Sequence, residues 1–343
     1  MKNGLRVVVH PANYTPLVLV NLLYDVGSRD EDHNLTGFAH LFEHLMFEGS
    51  VNIAEFDKHL QHAGGENNAF TTNDFTNYYD SLPAQNLETA LWLESDRMLG
   101  LDFSDVKLKI QKNVVVEEFN ESYLNQPYGD TWMLIRPLVY QKHPYKWPVI
   151  GIEPSHIQDA TLEDVRNFFR RFYHPANAIL SIGGNVSPEK VFKLTEKWFG
   201  DIEAGIPVSR KLPVEPIQTK QRRLVVERKV PFSQIFLIFH MQGRLHESYY
   251  ATDLLSDILS GGNSSRLYQS LVKERKLFSE VNAFITGSID PGLFVVSGKL
   301  LQETTMKQAE EALWFELEKL LNELVTEYEI QKVKNKAEAN QVF

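Results

Sequence analysis

The feature that constrains the fold most is a pattern that occurs twice along the chain: two strand-like runs, a glycine turn and a helical stretch. The segments are 5–10, 17–24, Gly27 and 38–48 in the first copy, and 223–229, 233–241, Gly243 and the residues from Tyr249 onward in the second. Such a repeat indicates a duplicated supersecondary unit. It predicts an α+β chain of two homologous two-layer domains, each an antiparallel-rich sheet covered by helices.

Length and composition indicate where the two copies meet. A chain of 343 residues exceeds the size of one ordinary core and favours two domains. Residues 206–222 contain three prolines and no clear periodicity, which is typical of a linker. We therefore predict a first domain at 1–205, a linker at 206–222 and a second domain at 223–343. We expect the second copy to be incomplete.

Charge and composition exclude several functions. The formal net charge of −10 argues against a general nucleic-acid binder, which normally carries a basic excess. The longest apolar runs fall short of the ~20 residues that a membrane helix requires, so no membrane span is expected. The chain lacks cysteine, so a transition-metal site would need His, Asp and Glu ligands. No secretion signal follows Met1, which leaves the bacterial cytoplasm and periplasm both open.

The pentapeptide His40–His44, HLFEH, carries the most specific chemistry in the sequence. On a helix, residues three and four apart share a face, so His40, Glu43 and His44 project towards one point. Two imidazoles one turn apart are suitable zinc ligands, and a carboxylate beside them can accept a proton from water. The apolar residues around them predict a mostly buried helix, in which polar side chains need partners. The alternative is a helix whose histidines line a solvated groove.

A second pair of acids, Glu117-Glu118, follows an apolar valine run on a helix predicted at 104–123. A catalytic zinc site uses three protein ligands and keeps one position for water. One glutamate from this second helix would complete a His, His, Glu set. Taken alone, such a pair is typical of an exposed acidic surface.

Several segments, in order along nearly the whole chain, resemble a known family. They are 3–6 (NGLR), 26–29 (VGSR), 37–50 (GFAHLFEHLMFEGS), 68–71 (NAFT), 114–118 (VVVEE), 173–177 (YHPAN) and 261–267 (GGNSSRL). The family is the pitrilysin, insulin-degrading enzyme and mitochondrial processing peptidase group, zinc peptidases with the inverted HxxEH motif. Within this family, the chain resembles a bacterial processing-peptidase-like subunit.

The resemblance implies a zinc endopeptidase with one Zn²⁺ per chain. His40 and His44 match the zinc histidines of the family, and Glu43 matches its general base. The third ligand of the family is the second acid of a paired Glu-Glu, which is Glu118 here, with Glu117 as the alternative.

Substrate contacts are also implied by the resemblance. Asn68 and Ala69, with the adjacent Phe70, match an edge strand on which the family lays peptides or unfolded segments in extended form, inside a closed chamber of four domains. Pairing of this kind takes affinity from main-chain hydrogen bonds and preference from pockets. Arg266 matches an arginine of the second domain that holds the substrate backbone or the developing oxyanion.

One departure concerns the partner. The family follows that arginine with a tyrosine, but this chain has Ser279 at the matching position. A serine hydroxyl does not reach where a phenol would, and Tyr268 lies too near Arg266 in sequence to be an obvious substitute. We therefore expect a heterodimer with a homologous subunit that supplies the tyrosine; the alternative is a homodimer.

A second departure concerns the metal. Many members carry a further acid seven residues before the third ligand, whereas this chain has Gln111. An amide can orient a zinc histidine by hydrogen bonding but adds no negative charge, so altered metal affinity or activity is expected. The alternative function is a catalytically weak or structural subunit that acts through a partner.

Overall fold

The computed structural model describes the backbone of residues 1–342 and the side chains of residues 1–340. The chain forms two compact units, Met1–Leu224 and the part that begins at Val225. The two-domain α/β organisation expected from the repeated pattern is confirmed. None of the described helices combines the length and the apolar character needed to cross a bilayer.

The first unit is built on a five-stranded sheet in the order β1-β5-β2-β4-β3. Its strands are β1 (Arg6–Pro11), β2 (Leu17–Tyr24), β3 (Glu66–Thr71), β4 (Thr76–Pro83) and β5 (Ala178–Gly184). Only β1 and β5 run parallel, and the other neighbours are antiparallel. In the described sheet β3 pairs with β4 alone, so its other edge is open.

The helices of this unit are α1 (Phe38–Leu45), α2 (Phe56–His62), α3 (Leu87–Leu99), α4 (Asp105–Phe119), α5 (Thr131–Val139), α6 (Ser155–Gln158), α7 (Leu162–Phe172) and α8 (Pro188–Phe199). Helices α1 and α4 begin within one residue of the starts predicted for the helices at 38–48 and 104–123. The chain leaves α4 through a wider helical turn, Asn120–Leu124. Alternate residues of β2 are buried against the helices, as expected for a sheet covered on one face.

The start of helix α1 is fixed by a close backbone contact at Gly37 and by a capping carboxylate. Gly37 has a φ of 90°, and a Cβ there would lie 2.6 Å from the carbonyl oxygen of Ile150. The buried carboxylate of Glu31 accepts hydrogen bonds from the N–H groups of Gly37 (3.0 Å) and Ala39 (2.9 Å). These N–H groups have no partner within the helix, so Glu31 caps α1. Further along, Phe42 stacks on Tyr173 with 5.0 Å between ring centroids.

The second unit repeats part of the first. Its strands are β6 (Gln234–His240), β7 (Phe278–Ile285) and β8 (Leu293–Leu300), and its helices are α9 (Tyr249–Ser260), α10 (Met306–Asn322) and α11 (Glu327–Val342). The sheet order β6-β8-β7 reproduces β2-β4-β3, with all neighbours antiparallel. Three of the five strands of the first unit therefore recur, in the same order, in the described part of the second.

The predicted strand at 223–229 does not form. Its counterpart β1 pairs with β5 and not with β2. Within the described residues the second unit has no counterpart of β5. A strand without a hydrogen-bonding neighbour has no ladder to join, and Val225 is accordingly 75% exposed.

The predicted linker, 206–222, lies along the first unit. Arg210 donates to the carboxylates of Asp25 (2.8 Å) and Asp30. The carboxylate of Glu215 accepts the backbone N–H groups of residues 141–143, each at 2.8–2.9 Å. Arg222 donates to the carbonyl groups of residues 138 and 139. We call residues 206–222 the strap, because these contacts hold it against the first unit.

Candidate metal centre

Two imidazoles lie one helical turn apart on α1. The rings of His40 and His44 are 4.9 Å apart between centroids, and their side chains are 13% and 24% exposed. The apolar face of the helix, including Leu41, Phe42 and Leu45, is buried in the core. Packing of that face directs the two histidines towards the accessible side of the helix.

Helix α4 brings a carboxylate to the same point. The Oε1 atom of Glu118 lies 3.7 Å from His40 Nε2, and its Oε2 atom lies 3.5 Å from His44 Nε2. The three ligand atoms lie within 4.8 Å of one another. Val115, one helical turn before Glu118, and Phe119, the residue after it, are buried, whereas Glu117 is exposed. The structure thus joins Glu118, and not Glu117, to the histidine pair.

The donor set fits zinc. Two imidazole nitrogens and one carboxylate are ligands that Zn²⁺ accepts, and three protein ligands leave one coordination position open. Burial lowers the pKa of His40 despite the opposing charge of Glu118. The hydrogen bond with His44 lowers the pKa of Glu118, against the effect of its partial burial. Neutral His40 and ionised Glu118 are the forms that bind a metal.

Glu43 lies beside this trio but is not part of it. Its half-buried side chain accepts a hydrogen bond from the hydroxyl of Thr71, with 2.6 Å between Thr71 Oγ1 and Glu43 Oε2. The described group that could hold a metal contains the two histidines and Glu118 only. Glu43 is thus not one of the candidate metal ligands, although it lies on the same helix as two of them.

Gln111 contacts the end of α1 instead of a histidine. Its amide Nε2 donates to the carboxylate of Glu48, and Lys107 Nζ donates to the Glu48 carbonyl at 2.7 Å. The Nδ1 atom of His40 is buried and has no hydrogen-bond partner among the described residues. The orienting contact expected of Gln111 is therefore absent from the hydrogen bonds that the structure describes.

The predicted substrate-binding residues lie on the open edge of the sheet. Asn68 and Phe70 are exposed, Phe70 to 44%. The N–H of Ala69 is accepted by Asn68 Oδ1 at 2.8 Å and not by β4. Alternate residues of an edge strand point their N–H and C=O groups away from the neighbouring strand. Ala69 is therefore a residue whose backbone faces outward.

The predicted contacts of the second unit are engaged within that unit. Arg266 forms a two-bond pair with Glu329, with Nε to Oε1 at 2.6 Å and Nη2 to Oε2 at 2.8 Å. The hydroxyl of Ser279 donates to the Lys299 carbonyl at 3.2 Å.

Two residues of the site went unnoticed in the sequence. Glu31 caps α1, the helix that carries the two histidines, and Thr71 donates a hydrogen bond to Glu43. Thr71 belongs to the segment 68–71 (NAFT) that carries the family resemblance, and strand alternation puts it on the same face of β3 as Ala69. That signal is informative only once α1 is known to pack on this face.

Comparison with known proteins shows the family of the chain. Residues 6–146 match the family model "Insulinase (Peptidase family M16)", and residues 159–337 match "Peptidase M16 inactive domain". The chain is a two-domain protein of the zinc-peptidase class and belongs to peptidase family M16. The match to the inactive-domain model covers residues 159–337, in which no HxxEH motif occurs.

Individual relatives are bacterial. Zinc protease PqqE of Helicobacter pylori is 32% identical over 342 residues, which cover 97% of this chain and 76% of the relative. The uncharacterized zinc protease YmxG of Bacillus subtilis is 27% identical and covers 87% of this chain and 72% of its own. The crystal structure of a protease from Helicobacter pylori superposes with a TM-score of 0.91 at 31% identity, covering 100% of this chain and 84% of that one.

Proposed function

We propose that the chain is a zinc-dependent endopeptidase subunit that hydrolyses peptides or unfolded segments. The observation that carries the proposal is the convergence of His40 Nε2, His44 Nε2 and the Glu118 carboxylate from two helices. One Zn²⁺ per chain would be held by these three residues. A zinc ion supplies Lewis acidity towards water and a peptide carbonyl, and lowers the pKa of water to about 7.

Glu43 is the general base in this proposal. It shares the helical face of His40 and His44 yet lies outside the ligand set. A carboxylate so placed takes the proton of the attacking water and passes it to the leaving amine. A positioned acid or base of this kind contributes about 10²–10⁴-fold in rate.

The open edge of β3 is the proposed substrate-binding element. Ala69 presents an outward backbone N–H, and the exposed Asn68 and Phe70 flank it. An extended peptide can add to such an edge through main-chain hydrogen bonds, with little dependence on its sequence. The carboxamide of Asn68, which covers the Ala69 N–H in the free protein, would give way to the peptide carbonyl.

Zinc content and peptide hydrolysis of the wild-type protein and of Glu43→Gln test the proposal. The wild-type chain should bind one zinc and cleave an unstructured fluorogenic peptide, and a chelator should abolish cleavage. Glu43→Gln should keep the zinc and lose turnover. Loss of zinc from Glu43→Gln would make Glu43 a ligand, and cleavage that persists without metal would refute the zinc mechanism.

A further inference from the structure

We propose that Thr71 is a positioning residue that fixes the carboxylate of the base Glu43. The inference rests on the proposed function, since it concerns how the base of that reaction is held. It also links two parts of the site, because Thr71 ends the strand on which the substrate is proposed to lie.

The contact is short and of the strong kind. Thr71 Oγ1 lies 2.6 Å from Glu43 Oε2 and 3.5 Å from the carbonyl oxygen of Ala39. A threonine hydroxyl has one proton to donate, and the shorter contact takes it. Hydrogen bonds from a hydroxyl to a carboxylate at about 2.5–2.7 Å are roughly twice as strong as neutral ones.

The donor is held rigidly. Thr71 is the last residue of β3 and lies opposite Thr76 in the ladder with β4. The turn between the strands is closed by the Thr72 N–H, which donates to the Phe75 carbonyl at 2.8 Å. Threonine is branched at Cβ, which restricts its χ1 angle. The hydroxyl is therefore fixed by the sheet and not by a mobile loop.

The bond distinguishes the two oxygens of Glu43. Oε2 is occupied by Thr71, whereas Oε1 has no partner among the described hydrogen bonds. Oε1 is thus the oxygen available to receive a proton. Without Thr71 the carboxylate could turn about its last side-chain bonds, and a misplacement of about 1 Å costs on the order of 10²-fold in rate.

The location of Thr71 gives the strand two functions. Ala69, whose backbone faces the open edge, lies two residues before Thr71 on the same strand. A peptide paired with that edge and the base held by Thr71 would share one rigid frame.

Three variants of the full chain test this inference. Thr71→Val removes the hydroxyl and keeps the shape of the side chain. Thr71→Ser keeps the hydroxyl on a side chain whose rotation is less restricted. Thr76→Val is the matched control, because Thr76 lies opposite Thr71 on β4 and donates to the Val26 carbonyl at 2.9 Å without a hydrogen bond to Glu43. Zinc content, kcat, KM and the crystal structure of each variant are measured.

Thr71→Val should lower kcat by about 10–100-fold, with zinc content unchanged and KM within about twofold, because only the geometry of the base is lost. Thr71→Ser should keep kcat within about threefold of the wild type, and Thr76→Val should match the wild type. In the crystal, the Glu43 carboxylate should leave its position only in Thr71→Val. An unmoved Glu43 in Thr71→Val, an unchanged kcat, or loss of zinc would overturn the positioning role.

A failure of the positioning role of Thr71 can be distinguished from a failure of the proposed endopeptidase function. If the zinc-loaded wild-type chain cleaves no peptide, the endopeptidase proposal fails at that step. The position of the Glu43 carboxylate in the Thr71→Val crystal still decides whether Thr71 holds it.

Discussion

His44 and Glu118 belong to different helices, yet His44 Nε2 lies 3.5 Å from Glu118 Oε2. This proximity depends on how α4 packs on α1. The burial of Val115 and Phe119 sets the rotation of α4 that presents Glu118. The adjacent Glu117 points to solvent and cannot replace it without a turn of the helix.

The first prediction follows from that rotation. Glu118→Gln should lower zinc affinity by more than the roughly 10–100-fold typical of a lost outer contact, because a charged ligand is removed. Glu117→Gln, one residue away and exposed, should retain wild-type affinity. Zinc titration of the two apo-proteins measures the difference, and equal affinities would remove Glu118 from the ligand set.

The second prediction concerns acid stability of the second unit. The hydrogen bond from Arg266 lowers the pKa of Glu329 from 4.5 to about 2. A carboxyl group with a depressed pKa in the fold contributes stability above the unfolded value of 4.5, and that stability is lost as pH falls from 4.5 towards 2. Solvent screening of this partly exposed pair reduces the contribution to about 1 kcal/mol.

Glu329→Gln should therefore destabilise α11 at pH 7 and leave its stability nearly constant between pH 4.5 and 2. Glu327→Gln, on the exposed first turn of the same helix, is the control and should behave as the wild type. Hydrogen exchange of the α11 amides across this pH range measures the effect. A wild-type acid transition in Glu329→Gln would show that the pair does not govern it.

The third prediction concerns a buried charge cluster in the first unit. Arg97 is 1% exposed, donates to the Glu94 carboxylate, and lies over Phe56 at 4.3 Å from the ring centroid. Asp80 is fully buried nearby, and burial together with the charge of Glu94 raises its pKa well above 3.8. Burial thus favours the protonated form of Asp80, and Glu94 pairs with Arg97.

Arg97→Met should cost about 3–5 kcal/mol of unfolding free energy, because it leaves a buried carboxylate without its counter-ion. Asp80→Asn should change stability by less than about 1 kcal/mol, because it replaces one neutral group by another. Urea unfolding followed on the first unit compares them. A large loss in Asp80→Asn would mean that Asp80 is ionised in the native state.

The fourth prediction is that full activity requires a homologous subunit. In the second unit Arg266 is engaged by Glu329, and Ser279 donates to its own sheet. An oxyanion donor supplied by a partner is worth on the order of 10²–10³-fold in rate. The chain mixed with its co-purified homologous subunit should gain that factor over the chain alone.

The control for the partner is the Glu43→Gln chain mixed with the same subunit, which should stay inactive if the chemistry lies in this chain. Full activity from an isolated homodimer would refute the requirement for a distinct partner.

The sequence predicts α1 and α4, the helices of the candidate metal site, because helical spacing and apolar pattern are local signals. The predicted helix 38–48 ends earlier, at Leu45, because the N–H groups of Phe47 and Glu48 bond three residues back and tighten the last turn towards Gly49. The contacts of Gln111 and Thr71 depend on packing between elements. No spacing in the sequence encodes such packing.

The strand predicted at 223–229 shows a different limit. Its β-branched residues suit a strand, but a strand also needs a neighbour, and β1 obtains that neighbour from β5, far along the chain. The β-strand propensity of the residues reports only whether they suit a strand, and not whether a neighbouring strand is present. The same reasoning explains why the strap was predicted as a linker: its prolines are local, whereas the acids and N–H groups that hold it lie elsewhere in the first unit.

The strap also matters to anyone who wishes to excise the first unit for biophysical work. A cut at residue 205, where the composition changes, would discard Arg210 and expose the carboxylate of Asp30, which is 3% exposed beside it. It would also strip Glu215 from three backbone N–H groups. A fragment that ends at Leu224 retains both sets of contacts. The residue at which the chain is truncated, and not the metal site, would therefore decide whether such a fragment stays soluble and folded.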